Sequence, residues 1–199
     1  MKINVETIQV GTEFEMNCYL AENMETHELI IVDPGAQADT IIKAVGERAP
    51  VAVLITHGHF DHIGAADAVC ARFNIPLYIH ELDAPKLSDA QKNESLTFNY
   101  HVTANTKPVT VTGGQTLTLG GMEITVLHTP GHSKGGVCYF LPENQGVFCG
   151  DTLFCGGYGR HDFGDGDFSE LKQSLRKLMN LHPKIKAYPG HGASTFAGK

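Results

Sequence analysis

A chain of 199 residues with 42% hydrophobic side chains, 22 glycines and 19% charged residues is long enough to bury a sizeable core and is neither disordered nor fibrous in composition. Its 15 Lys and Arg against 22 Asp and Glu give a net charge of -7 with no basic run, which argues against nucleic acid as a partner. Five scattered cysteines without a CxxC pair suit free thiols in a reducing compartment, and no stretch reads as a signal core or a membrane span, so a cytoplasmic protein is expected.

In chain order, period-two or compact β-branched runs predict strands at 2–10, 16–21, 28–33, 51–55, 76–79, 108–111, 115–119, 122–128, 136–141, 146–149 and 185–188. Helical spacing falls on 37–48, 62–73 and 168–181, the last with Ser169 as its N-cap and Pro183 beyond its end. Gly113-Gly114 and Gly120-Gly121 read as hairpin turns between neighbouring antiparallel strands, and the stretches 28–55 and 51–79 as parallel strand-helix-strand crossovers. The order fits an α/β fold in one domain over 1–199, a sandwich of two mixed β-sheets with helices on the outer faces. The polar stretch 88–107 is expected to be a surface insertion beside a cleft.

Eleven histidines and no tryptophan turn attention to metal chemistry. His57, His59, Asp61 and His62 follow the strand at 51–55; in extended backbone 57, 59 and 61 project to one side, and a bend into the helix aims His62 nearby. Three further donors sit on tight glycine turns: His132 after Pro130-Gly131, Asp151 after Gly150, and His191 between Gly190 and Gly192. Each of these alone reads equally well as a turn with a polar cap. Together the seven donors exceed what one ion uses and suit two ions about 3.5–4 Å apart that share a carboxylate.

The pattern HxHxDH, then a lone His, a lone Asp and a final His, resembles the metallo-β-lactamase superfamily. The segments GDTLF (150–154), GGYGR (156–160) and PGHG (189–192) are similar to its small glyoxalase II-like, hydroxyacylglutathione hydrolase-like branch. The resemblance implies an αββα fold, with His57, His59 and His132 on one metal, Asp61, His62 and His191 on the other, and Asp151 bridging. It implies two divalent ions, zinc first with iron or manganese admissible, and a catalytic role for Asp61 and Asp151 around a metal-bridging hydroxide. Asp33, in Asp33-Pro34-Gly35, matches the aspartate that braces the histidine loop, and Arg160 a basic position that meets a glutathione carboxylate. The retained Asp151 argues against a true β-lactamase, and His59 against the flavodiiron relatives.

The activity so implied is hydrolysis of a small thioester, S-lactoylglutathione to lactate and glutathione, by a monomer. The rival readings are a mononuclear iron persulfide dioxygenase using His57, His132 and Asp151, a lactonase or other ester hydrolase, and a binding protein with a vestigial site. Seven residues follow the last glycine turn, so no additional C-terminal helical domain is expected to help grip glutathione. Outside this set, His128 is expected to be packed near the site, His80, His101, His161 and His182 to lie in loops or on the surface, and Cys155 to be a small buried thiol.

Overall fold

The alternation along the strands separates into two faces in the computed structural model, which describes residues 1–198. Strands β1 (Ile3–Val10), β2 (Met16–Asn23), β3 (Glu28–Val32), β4 (Ala49–Leu54), β5 (Leu77–His80) and β6 (Val109–Val111) form one sheet in that order. The second sheet has the order β12-β11-β10-β9-β8-β7, built from β7 (Thr116–Leu119), β8 (Met122–His128), β9 (Val137–Phe140), β10 (Val147–Gly150), β11 (Lys186–Pro189) and β12 (Thr195–Phe196). Both sheets are mixed: β3 through β6 pair in parallel while β1 and β2 run antiparallel, and in the second sheet only β10 and β11 are parallel. The described residues also form helices α1 (Ala38–Val45), α2 (Phe60–Ile63), α3 (Ala66–Phe73) and α4 (Phe168–Met179).

Ile30, Val32, Ala52 and Leu54 of the first sheet face Ile124, Val126, Tyr139 and Phe148 of the second. Their sequence neighbours Leu29, Ile31 and Val53 point the other way, onto Ile41 of α1 and Val69 of α3. On the far side Cys138, Val147 and Cys149 pack with Leu178 of α4. The result is the expected αββα sandwich, in which each fully buried aliphatic side chain contributes about 1.5–3 kcal/mol.

Several local expectations are corrected. Gly113-Gly114 is no hairpin, because β6 and β7 belong to different sheets and the turn carries the chain across the sandwich. The helix expected over 62–73 is two pieces, α2 and α3. The N-cap of α4 is Asp167, whose carboxylate accepts from Glu170 N at 2.9 Å, so Ser169 lies inside the first turn. Cys155 is exposed, whereas the other four cysteines are buried and all five are free. Among the described residues no helix is long and apolar enough to cross a membrane.

Candidate metal centre

The chain ends that leave β4, β8, β10 and β11 meet at one rim of the sandwich. After β4 the chain bends at Thr56, is extended at His59 (φ -71°, ψ 151°) and then winds into the single turn of α2. His57 and His59 therefore precede the helix, whereas Asp61 and His62 lie in it, so the expected one-sided row of 57, 59 and 61 stops at His59. Gly190, beside His191, is required where it stands: a Cβ there would lie 2.3 Å from Asp151 Oδ1. Gly131, at φ +124°, faces the first turn of α4, where a Cβ would come within 2.1 Å of Leu171 N.

All seven predicted donors are brought together. His132 Nε2 lies 3.1 Å from His57 Nε2 and 2.9 Å from His59 Nδ1. Asp61 Oδ2 lies 3.2 Å from His191 Nε2 and 3.9 Å from His62 Nε2. Asp151 stands between the two groups, with Oδ1 at 3.4 Å from His62 Nε2 and Oδ2 at 3.5 Å from both His132 Nε2 and His191 Nε2. His57/His59/His132 and Asp61/His62/His191 thus form two tripods of converging donor atoms, and His57/His62/Asp151 a third group spanning them.

The opposite ring nitrogens fix which atom faces inward. His62 Nδ1 bonds Asp33 Oδ2 at 2.9 Å, His191 Nδ1 donates to the Glu15 carbonyl at 2.6 Å, and His132 Nδ1 donates to the Arg160 carbonyl at 2.7 Å. A carbonyl only accepts, so Nδ1 carries the proton in the last two and Nε2 presents a lone pair to the centre. Asp33 also accepts from Thr56 N at 2.7 Å and Thr56 Oγ1 at 2.6 Å, bracing the start of the histidine loop as anticipated.

These residues fit a cation. Among the described residues His62 Nε2 and Asp151 Oδ1 are buried without a hydrogen-bond partner, and His57 Nε2 and His59 Nδ1 converge on His132 Nε2 at 3.1 and 2.9 Å. Mixed imidazole and carboxylate donors suit zinc, iron or manganese without selecting sharply among them. Burial, reinforced by His62, holds His57 well below the usual histidine range, and burial with the neighbouring His132 pushes His59 down to about 3. Burial raises the Asp151 carboxyl, but His62, His132 and His191 more than reverse this and keep it ionised. Burial likewise opposes charge on His62, yet Asp33, Asp61 and Asp151 outweigh it and raise its affinity for a proton.

A cavity of about 270 Å³ opens on this centre, touching His59, Asp61, His132, Asp151 and His191 and walled by Phe14, Phe98, Phe154 and Phe163. Its other ionisable lining residues are Glu94 and Arg160. The Arg160 guanidinium is already engaged: Nε donates to Asp162 Oδ1 at 2.9 Å, and the group lies 4.7 Å over the Phe163 ring. The stretch 88–107 borders the cleft through Glu94 and Phe98, but Asn93 and Ser95 within it are buried, so it is more than a surface insertion. His80 is likewise buried, at 3% exposure, and stacks on His128 with centroids 4.4 Å apart. Sequence reasoning missed the Glu15 and Arg160 carbonyls, the phenylalanine wall and Asp83; of these only Asp83, a carboxylate just beyond β5, left any trace.

A sequence profile of the metallo-beta-lactamase superfamily matches residues 11–191. The chain belongs to that superfamily. It is 34% identical over 202 residues to the hydroxyacylglutathione hydrolase GloC of Haemophilus influenzae, covering 99% of this chain and 94% of the relative. Among solved structures it is similar to the BLEG-1 B3 metallo-beta-lactamase (TM-score 0.91, 36% identity, 97% of this chain and 94% of the other). It is also similar to TTHA1623 in a di-iron-bound form (TM-score 0.86, 32% identity, 96% and 94%).

Proposed function

We propose that this protein is a binuclear metal-dependent hydrolase of small thioesters, with S-lactoylglutathione as its substrate and zinc as its metal. The observation that carries the reading is Asp151 set between two complete tripods, 3.5 Å from His132 in one and 3.5 Å from His191 in the other. His57, His59 and His132 would hold one ion, Asp61, His62 and His191 the second, and Asp151 both. Two divalent ions so held supply an ionised water near neutral pH and polarise a carbonyl oxygen.

The chain's own part is orientation. Asp33, Glu15 and Arg160 hold three imidazoles in the tautomer that faces inward. The phenylalanine wall shields the reacting carbonyl from bulk water. Among the described residues lining the cavity, the ionisable groups besides the candidate ligands are Glu94 and Arg160, and an arginine keeps its proton. A thiolate leaves without a proton donor far more readily than an amine, which favours a thioester over an amide. The likeness to GloC supports the glutathione-linked substrate. A mononuclear iron dioxygenase would use only His57, His132 and Asp151 of the same donor set, so metal stoichiometry separates the two readings. The protein is taken as a cytoplasmic monomer acting on a small molecule, as five free thiols and a net charge of -7 support.

The test is metal analysis of protein purified without added metal, followed by assays on S-lactoylglutathione, a lactone and a β-lactam. About two ions per chain and selective thioester cleavage are expected. One iron per chain with oxygen uptake on glutathione persulfide would replace the reading by the dioxygenase, and β-lactam turnover without thioester turnover by a lactamase like the one BLEG-1 is named for.

A further inference from the structure

A second buried aspartate, remote in sequence from every candidate ligand, gathers the loops of one tripod. Asp83 is fully buried just beyond β5. Its Oδ2 accepts from Gly58 N at 2.8 Å and from Ser133 Oγ, and its Oδ1 accepts from Gly135 N at 2.8 Å and lies 3.1 Å from Lys86 Nζ. Gly58 separates His57 from His59, and Ser133 follows His132. One carboxylate therefore ties together the two chain segments that supply all three donors of the His57/His59/His132 tripod. Both glycines are needed for this approach, since a Cβ on Gly58 would lie 2.7 Å from Lys86 Cβ and one on Gly135 2.6 Å from Asp83 Oδ1. Lys86, itself buried, balances the charge and reaches Asp165 at 2.8 Å in the loop that carries Arg160 and Phe163.

Asp33 holds the other tripod through its bond to His62, and also bonds Thr56 N and Oγ1 next to His57. No hydrogen bond joins Asp83 to Asp61, His62 or His191 among the described residues. We propose that Asp83 is a positioning residue for the His57/His59/His132 pocket alone, whereas Asp33 serves both pockets, holding His62 directly and His57 through Thr56. The proposal rests on the reading that the tripods hold metal.

Asparagine is not a conservative replacement here. Donors converge on both oxygens, so either orientation of the amide sets its NH₂ against a backbone N–H, of Gly58 or of Gly135. The experiment measures zinc dissociation constants by chelator competition in two backgrounds: His191→Ala, which leaves the first pocket intact, and His132→Ala, which leaves the second. Asp83→Asn should weaken zinc about 10–100-fold in the His191→Ala background and leave the His132→Ala background within about threefold. Ser133→Ala removes one neutral donor and should show the same asymmetry at about 3–10-fold, which decides the matter if Asp83→Asn does not fold. Urea unfolding of the metal-free variants reports that folding directly. Equal losses in both backgrounds would make Asp83 a general structural residue and overturn the proposal, as would unchanged zinc affinity in the His191→Ala background. Failure of the wild-type protein to bind zinc would overturn the metal reading as well, and is distinguished by appearing before any substitution at Asp83 or Ser133.

Discussion

The carbonyl oxygen of Arg160 accepts the Nδ1 proton of His132 at 2.7 Å, while the guanidinium of the same residue turns to Asp162. The residue expected to meet substrate with its side chain thus serves the metal centre with its backbone. The two roles separate on substitution, because Arg160→Ala keeps the carbonyl.

Arg160→Ala should therefore leave bound metal unchanged. Its side chain is 61% exposed and paired, so the contact it offers a substrate carboxylate is weak. The KM for S-lactoylglutathione should rise no more than about fivefold with kcat intact. Steady-state kinetics at matched metal content check this; a fall in kcat beyond about tenfold, or lost metal, contradicts it.

Asp151→Ala and His62→Ala should differ in metal stoichiometry. A carboxylate between both tripods serves each, so its loss weakens both ions, whereas His62 belongs to the Asp61/His62/His191 group and its loss should chiefly empty that one. Elemental analysis of the two variants side by side decides; full retention in Asp151→Ala would refute the bridging assignment.

Asp33→Ala should cost about 3–5 kcal/mol of folding stability even without metal. It leaves Thr56 N, Thr56 Oγ1 and His62 Nδ1 buried without the acceptor that all three share. Urea denaturation of chelator-treated protein measures the loss, and a cost under about 1 kcal/mol would show that this brace matters only for metal.

Asp67 offers a pH-dependent test away from the centre. Its carboxylate accepts from Asn105 N, Thr106 N and Thr106 Oγ1; burial raises its carboxyl, but these bonds, led by Thr106 Oγ1, lower it on balance. A folded-state value below the unfolded one, about 3.9, means its stabilisation is present above that value and lost as pH falls through the folded one. Asp67→Asn should therefore be about 1–2 kcal/mol less stable than wild type at pH 7. The gap should close as acid protonates the wild-type carboxyl, in urea midpoints read across pH 7 to 3. A gap unchanged at low pH would assign the loss to packing.

What the sequence determined by itself was whatever is local. An unbroken apolar run such as Leu29 to Val32 marks a strand with two buried faces, and the run from His57 to His62 concentrates donors within one loop, so the sandwich and all seven candidate ligands were legible. Even the glycine turns before His132 and His191 announced themselves, because a close backbone approach excludes a Cβ. The tertiary structure alone decided which sheet each strand joins, so a Gly-Gly pair read as a hairpin became a crossing between sheets. It also decided that His80 is buried against His128 and that Asp83 reaches Gly58 and Gly135 from separate loops. Least legible were the carbonyls of Glu15 and Arg160 that orient His191 and His132. Every residue carries a carbonyl, so its position in space, set by chain segments far apart in sequence, is the whole of its specificity.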